Sequence, residues 1–396
     1  MADSYMYSKH KFKDKVKDKI KNKVKDKTKR NNKKKKFKRT LKDKYEEEVV
    51  DLPNIHKVEN SHYHLVERNG SYSPEINKEI QQQITGEVCD LFIDINFEDY
   101  YSTGKPLMLY DSNEVDFQDR YKPYDSVEYR SLLIERLDFE FDVDKIIPPN
   151  QNDSNCWFNS MFMTLFVSDK GRKFFKFFRY LMIEGKQSLG IEIPEGLKIA
   201  FAYLNYAIDA CLTGNCSMYD LDTNNIIKRV YENIPIENKS EWIRDVGEDG
   251  NPIAYYMDIM NYLKNNTLYY FYIFDINCKW KDKLHQEFLQ NDEIPEIIIM
   301  DFSQNNHCTN KPVTFKINHI KYILDSICIL DVEENHFCTL LTCDGKDYFY
   351  DGFNKTKLIP FEWKKKINKD YSWVSNSLQY NCMKSYQTYI YYRVTK

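Results

Sequence analysis

Residues Gln151–Phe166 read QNDSNCWFNSMFMTLF, in which a cysteine stands where small polar residues give way to an apolar run with helical spacing. Asp153, Ser154 and Asn155 are good capping types, so we expect Cys156 to begin a helix. The unpaired N–H groups and the positive end of a helix dipole favour a thiolate at that place. Taken alone, the pattern fits a buried thiol better than a nucleophile, because free cysteine is among the most buried residue types.

The cysteines and the distribution of apolar residues indicate where the protein is located and whether it binds metals or cofactors. The ten cysteines form no paired framework, and the lysine-rich N-terminus has no apolar signal segment, which predicts free thiols and an intracellular protein of the cytoplasm or nucleus. No apolar stretch is long enough to span a bilayer, so we expect no membrane contact. Neither a C-x-x-C pair nor a phosphate-binding glycine loop occurs, so the sequence predicts no metal and no cofactor. A structural zinc would need the wider pairs Cys211 with Cys216 and Cys338 with Cys343, and the latter two are better explained as packing residues of strand-like segments.

The net charge of −3 is divided between a basic arm and an acidic body. Residues 1–44 carry twenty Lys/Arg against five Asp, a net of +15, and the remaining residues carry 37 against 55, a net of −18. The arm has almost no apolar surface to bury, so we expect it to be disordered. Its basic cluster Lys33–Arg39 is also suited to non-specific nucleic-acid contact or to nuclear import.

The sequence predicts an α+β body over residues 146–396, preceded by an acidic extension at 45–145 that contains strand-like pieces such as Glu87–Phe97. Four helical patterns come first, and the fourth has Asn251 as its N-cap and Pro252 at its first helical position. We interpret the runs that follow as an antiparallel meander, giving a body of two lobes. The helical patterns start near Trp157, Phe174, Leu197 and Asn251, and the strand-like runs are Thr267–Phe274, Glu296–Met300, Val313–Ile317, Lys321–Leu330, His336–Gly352 and Tyr386–Val394.

His336 is the histidine best placed to serve as a base, because it opens a β-like run directly after a polar turn. That run continues through Asp344-Gly345, a strong hairpin signal, into the return segment KDYFYD. A hairpin turning there pairs positions that sum to about 688, which brings Asp351 back beside His336. A carboxylate held there would fix the imidazole tautomer and stabilise the imidazolium. Gln151 and Asn152 offer side-chain amides that could stabilise an oxyanion near Cys156.

These segments together resemble the ubiquitin-specific proteases, a family of papain-like deubiquitinases. NCWFNSMFMTLF is similar to the cysteine box of that family, and NHFCTLLTCDGKDYFYDG is similar to its histidine box. The closing SYQTYIYYRV resembles the final strand of the family, so the likeness covers residues 146–396 in the family's order. The matching positions are Cys156, Asn159 and Ser160 in the first box, His336, Phe337, Tyr348, Tyr350 and Asp351 in the second, and Tyr386 and Tyr389 in the last strand.

The resemblance implies a papain-like cysteine peptidase fold, with a helical lobe carrying the cysteine and an antiparallel β lobe carrying the histidine and the aspartate. It also implies thiol-dependent hydrolysis of the (iso)peptide bond that follows the C-terminal Gly of ubiquitin or a ubiquitin-like modifier. In that scheme Cys156 is the nucleophile, His336 the base and Asp351 its orienting carboxylate. Gln151 stands where the family has the Asn of its oxyanion hole.

The chain departs from the family pattern at several places. Asn335 replaces the Gly before the histidine, and Asp153-Ser154-Asn155 replaces the Gly-Asn-Thr before the cysteine. The family's Gln-Gln-Asp element is only faintly similar to the segment at Glu248–Met260, and its zinc-binding fingers have no recognisable counterpart.

Two other functions are compatible with the sequence. One is a papain-like peptidase that processes other proteins, and the other is an inactive scaffold or nucleic-acid-associated protein acting through the basic arm. The lysine-rich arm and the AT-rich residue usage indicate a large DNA virus or an AT-rich protist as the source. A viral protein would act in the host cytoplasm or nucleus, or be packaged in the virion.

Overall fold

The fold is taken from a computed structural model. The model describes residues 121–215, 218, 221–263, 270–273, 280–290, 295–302, 311–317, 319–331, 335–353, 357–369, 371–375, 378–381 and 385–394, together with short strands at 48–51, 64–68, 71–75 and 108–110. The basic arm and the strand-like piece Glu87–Phe97 lie outside these residues. The chain divides into the units Met1–Glu48 and Val49–Lys396, and the fold below is that of the second.

Most of the described helices precede the strands of the main sheet, as predicted, but the helix Trp280–Gln290 follows the first of those strands, Tyr270–Ile273. The helices of the described part of the chain are α1 (Val127–Glu135), α2 (Cys156–Phe162), α3 (Asp169–Glu184), α4 (Glu195–Thr213), α5 (Asn224–Asn233), α6 (Pro252–Tyr262) and α7 (Trp280–Gln290). Its strands are β1 (Glu48–Asp51), β2 (His64–Arg68), β3 (Ser71–Glu75), β4 (Met108–Tyr110), β5 (Tyr121–Pro123), β6 (Tyr270–Ile273), β7 (Ile297–Phe302), β8 (Thr314–Ile317), β9 (Ile320–Asp331), β10 (His336–Cys343), β11 (Lys346–Tyr350), β12 (Ile359–Pro360), β13 (Tyr371–Ser375), β14 (Leu378–Asn381) and β15 (Ser385–Arg393).

All four predicted helices are present, and α6 has the predicted cap. The Asn251 side chain accepts hydrogen bonds from the N–H groups of Ile253 and Ala254, both at 3.1 Å, and Pro252 occupies the first turn. The sequence did not predict α1, α5 or α7. Of these, α5 is rich in asparagine and buries only a narrow apolar stripe that includes Ile226 and Val230. No helix among the described residues is long and apolar enough to cross a membrane.

The main sheet has the strand order β12-β11-β10-β9-β15-β7-β6, with β8 also paired to β9. The mixed class of helices and antiparallel sheet is confirmed, but the expected simple meander is wrong in two respects. The last strand, β15, lies between β9 and β7, and β6 pairs with β7 in parallel. Since Tyr389, Ile390, Tyr391 and Tyr392 are all buried, β15 is apolar on both faces, and such a strand requires neighbours on both edges and cover on both sides.

The sheet separates two hydrophobic cores. Ile390 and Tyr392 of β15 face a core formed with the helices, whereas Tyr389 and Tyr391 face a second core that contains Trp280 of α7 and Trp363. The alternation along one strand therefore places each side chain in a different core. The cysteine-bearing helix belongs to the first core, and the strands of the histidine hairpin contribute to both. A papain-like division of this body into lobes stays a prediction.

The α2 helix is buried on every side, unlike an ordinary surface helix. Its residues are at most 6% exposed, and it continues into one π-helical turn at Met163–Val167 before α3 begins. The N–H of Ser168 closes that turn by bonding the Met163 carbonyl at 3.0 Å. Because α2 is buried all round, it is a fixed central support for the cysteine at its start.

Candidate active site

Cys156 is the first residue of α2 and is 6% exposed. The helix begins at Cys156 as predicted, with Asn155 as the N-cap residue, but the Asn155 side chain makes no capping hydrogen bond to the helix. The reason is that Asn155 is fully buried and its amide is used elsewhere. It accepts from the Asn152 N–H at 3.0 Å and donates to the Thr223 hydroxyl at 2.9 Å.

A buried network of polar side chains holds the loop that precedes the cysteine. The Thr223 hydroxyl donates to the Asn159 side-chain oxygen at 2.7 Å, and the Asn159 amide donates to the Asn150 carbonyl at 2.8 Å. Asn224 donates its amide to the Asn152 carbonyl at 3.0 Å. Because buried amides must find partners, this network fixes the backbone of residues 150–155 relative to α2 and to the start of α5.

The hairpin of β10 and β11 has the predicted turn and register. Thr339 pairs with Tyr350, which places His336 across from residue 353 and beside Asp351, as expected. The His336 Nε2 atom lies 2.9 Å from the Asp351 Oδ1 atom, and both side chains are buried, at 3% and 0% exposure. Asp351 also accepts the backbone N–H of Phe353 at 3.0 Å, which holds the carboxylate in place.

The structure brings Cys156, at the start of α2, together with His336, at the start of β10. The imidazole is hydrogen-bonded to both Cys156 and Asp351. Burial lowers the pKa of His336, but these two hydrogen bonds and the nearby negative charges outweigh it and raise that pKa to about 9. Since Nε2 faces Asp351, Nδ1 is the ring nitrogen left for the thiol. This environment favours an imidazolium at neutral pH.

Phe353 covers the imidazole and was not anticipated from the sequence. Its ring stacks on His336 with centroids 4.4 Å apart and planes at 17°, and it is 39% exposed. Its position two residues after Asp351, beyond the last aromatic of the return strand, is the signal that could have identified it. Thr223 has no comparable signal, because it lies in a loop far along the chain from the asparagines that it joins.

Gln151 lies beside the carboxylate side of the site. Its backbone N–H donates to the Gly352 carbonyl at 3.0 Å, and a Cβ added to Gly352 would lie 2.8 Å from the Gln151 Cβ. The close approach requires glycine at 352. The Gln151 side-chain amide donates weakly to the Asp153 carbonyl at 3.5 Å, and its Oε1 is buried with no partner among the described residues. Its assignment to an oxyanion hole stays a prediction.

Two residues next to the site adopt a backbone conformation that usually favours glycine. Asp153 and Asn335, which stand where the resemblance places glycine, have φ angles of 50° and 52°. Aspartate and asparagine are among the residue types that tolerate this left-handed region. The turns before the cysteine and before the histidine therefore need no glycine in this chain.

A thiol, an imidazole and a carboxylate are thus placed in series, with the imidazole of His336 between Cys156 and Asp351. Among the described residues, no group of three or more His, Cys, Asp or Glu side chains is placed to hold a metal ion. The other cysteines there, Cys211, Cys328, Cys338 and Cys343, are free thiols buried in the cores. Burial raises the pKa of each of these four thiols, so they are poor nucleophiles.

No model of a known protein family matches the chain, and a search of the curated proteins finds no match. Among solved structures, the chain is similar to the SAGA Ubp8/Sgf11/Sus1/Sgf73 DUB module, with 10% identity over 75% of this chain and 82% of the other and a TM-score of 0.40. The same DUB module bound to monoubiquitin is 9% identical over 75% of this chain and 83% of the other, with a TM-score of 0.39. An essential yeast splicing factor is 10% identical over 76% of this chain and 88% of the other, with a TM-score of 0.38. TM-scores this low do not establish a shared fold, and these proteins are described with different roles.

Proposed function

We propose that the protein is a thiol-dependent deubiquitinase, a papain-like cysteine peptidase that hydrolyses the bond after the C-terminal Gly of ubiquitin or a ubiquitin-like modifier. The observation that carries the proposal is the buried imidazole of His336, held 2.9 Å from Asp351 and hydrogen-bonded to Cys156. All three residues are among the positions at which the sequence resembles the ubiquitin-specific proteases.

The chemistry follows from these positions. The thiolate of Cys156, paired with the His336 imidazolium, attacks the carbonyl carbon of the modifier's terminal Gly and forms a tetrahedral oxyanion. The Cys156 N–H at the start of α2 and the Gln151 amide would stabilise that charge. His336 then gives its proton to the departing lysine amine, leaving an acyl-enzyme. Water hydrolyses the acyl-enzyme, with His336 accepting its proton, and the thiol is regenerated.

The charge of the body supports a basic partner. Residues 45–396 carry a net charge of −18, which favours approach of a cationic peptide over an anionic one. The basic arm is proposed to make salt-sensitive contacts with nucleic acid or another polyanion. The comparisons give no support to such a contact or to a viral source, and both remain predictions from sequence.

The test is labelling by ubiquitin that carries an electrophile at its C-terminus. We expect a covalent adduct on the full-length protein, mapped by mass spectrometry to Cys156 and absent in Cys156→Ser. Cys343→Ser is the matched control, because Cys343 is a buried thiol of β10 that is tied to the Val167 carbonyl rather than to His336. This variant should label like the parent.

The alternatives give different results in the same set of assays. Cleavage of plain peptides without ubiquitin labelling would contradict the proposal and favour a peptidase that processes other proteins. Absence of any Cys156 reactivity, with nucleic-acid binding that is lost on removing residues 1–44, would favour a scaffold that acts through its arm.

A further inference from the structure

One short segment contacts the residues next to both members of the reactive pair. Gly250 lies against the indole of Trp157, the residue that follows Cys156. A Cβ added at Gly250 would lie 2.4 Å from two ring atoms of Trp157, so no other residue fits without moving that ring. The segment is therefore seated directly on the start of α2.

The residue before Gly250 reaches the other side of the pair. Asp249 accepts a hydrogen bond at 2.9 Å from the side-chain amide of Asn335, the residue that precedes His336. Asn335 has a φ angle of 52°, in the left-handed region, at the turn into β10. This contact depends on a side chain, so a glycine at 335 could not make it.

The segment itself is held firmly from its far end. Asn251 caps α6 through the N–H groups of Ile253 and Ala254. In addition, Tyr255 of α6 packs edge-on against Trp157, with ring centroids 5.0 Å apart and planes at 73°. Asp249 therefore lies just before the start of α6, a helix that packs against Trp157.

We propose that Asp249 and Asn335 form a clasp that positions His336 against Cys156. The clasp closes a ring that runs from Cys156 through Trp157, Gly250, Asp249 and Asn335 to His336 and back to the thiol. Asp249 and Asn335 are positioning residues, because they act on the reactive pair through its neighbours. The inference rests on the proposed roles of Cys156 and His336 but can be tested without any substrate.

The described charged groups around His336 and Cys156 are few, so a change in the distance between these two residues should alter how the reactivity of Cys156 depends on pH. His336 faces Asp351 and Cys156, and its backbone pairs with Asp331 of β9. Cys156 lies within electrostatic reach of His336 and also of Cys328, Cys338 and Tyr350, whose high pKa values keep them neutral. The imidazolium of His336 is therefore the charged group that the clasp holds beside Cys156, and loosening the clasp weakens the electrostatic interaction between them.

The experiment follows alkylation of Cys156 by iodoacetamide as a function of pH, read by mass spectrometry on the full-length protein. Asn335→Gly keeps the left-handed backbone and deletes the donor, whereas Asp249→Ala deletes the acceptor. Each should raise the midpoint of the profile by about half a pH unit, which lowers the rate below the midpoint about threefold. The double variant should show no further shift, because both changes remove the same bond.

Two further variants separate the hydrogen bond from the charge. Asp249→Asn retains an acceptor oxygen and should restore most of the parent profile. Glu248→Gln removes a negative charge from the adjacent exposed position and should not raise the midpoint. Additive shifts in the double variant, an unshifted midpoint, or a change confined to the plateau rate would each overturn the clasp. A change confined to the plateau would instead mean that the segment restricts access to the thiol.

Failure of the clasp is distinguishable from failure of the proposed function. If His336→Ala raises the midpoint and Asn335→Gly does not, the reactive pair stands and the clasp is wrong. If the profile of the parent matches that of an ordinary thiol and is unchanged in His336→Ala, the reactive pair itself is wrong.

Discussion

At the scale of the residue, the site depends on what surrounds one imidazole. His336 is stacked under Phe353, bonded to Asp351 and hydrogen-bonded to Cys156, and its pKa is raised to about 9 despite burial that by itself would lower it. A histidine on an exposed strand would titrate near its ordinary value. The buried carboxylate and the thiol therefore change this residue from a neutral base into a cation at neutral pH.

Asp351→Asn should slow turnover of a ubiquitin substrate by about a hundredfold or more, because the amide no longer stabilises the imidazolium. The same change should lower the pKa of His336, so the basic limb of the rate–pH profile should move to lower pH. Steady-state kinetics from pH 6 to 10 would measure both effects.

Asp347→Asn is the matched control for this prediction. Asp347 lies on the same return strand, but its carboxylate pairs with Lys364 at 3.2 Å and is partly exposed. This variant should keep nearly full turnover. A larger loss in Asp347→Asn than in Asp351→Asn would contradict the assigned orienting residue.

At the scale of the element, two segments that are distant in sequence are held side by side. The Thr339 hydroxyl of β10 donates to the Ser160 carbonyl of α2 at 3.0 Å. At the hairpin turn, the N–H groups of Asp344 and Gly345 donate to the two carboxylate oxygens of Asp169, each at 2.9 Å. Because α2 leads through the π turn into α3, these contacts align the histidine hairpin along the helical segment that starts at Cys156.

Thr223→Val should destabilise the protein by about 2–4 kcal/mol, because the isosteric side chain can neither accept from the buried Asn155 side-chain N–H nor donate to the buried Asn159 side-chain oxygen. Urea unfolding would measure the change in the free energy of unfolding. Thr223→Ser keeps the hydroxyl and should lose much less. Equal losses in the two variants would mean that the methyl group, rather than the hydrogen-bond network, is what matters at this position.

At the scale of the whole molecule, stability should depend on pH through carboxylates that the fold buries. Asp325 of β9 accepts the N–H groups of Lys170 and Gly171 at 3.1 and 3.2 Å, at the start of α3. Burial raises the pKa of this carboxyl from 3.8 to about 6, even though these hydrogen bonds oppose the change. The folded protein therefore holds a proton there that the unfolded chain releases.

The sign follows from proton linkage. Between pH 4 and 6 the folded state binds more protons at Asp325 than the unfolded state, so the free energy of unfolding should fall as pH rises through this range. The full shift of the Asp325 pKa corresponds to a change of about 3 kcal/mol in the free energy of unfolding. His336 adds a second decline at higher pH, because its pKa rises from 6.5 to about 9 and its contribution is lost as pH rises through about 9.

Asp325→Asn should remove the decline between pH 4 and 6 and leave the higher one. Denaturant unfolding of both proteins at closely spaced pH values would measure the difference between their free energies of unfolding. A difference that is constant across this range would contradict a raised pKa at Asp325.

The sequence by itself determined the local features of the site. The start of α2 at Cys156, the cap of α6 at Asn251 and the hairpin that returns Asp351 to His336 all follow from helical spacing, capping chemistry and turn geometry, which act over a few residues. It gave the order of β15 along the chain but not its place between β9 and β7, since strand order depends on partners that are far apart in sequence. Only the tertiary structure brought Cys156 to His336, joined Thr223 to the asparagines of the cysteine loop and set Asp249 against Asn335. Those contacts arise because helices and loops that are distant in sequence pack together on one face of the sheet, beside the start of β10.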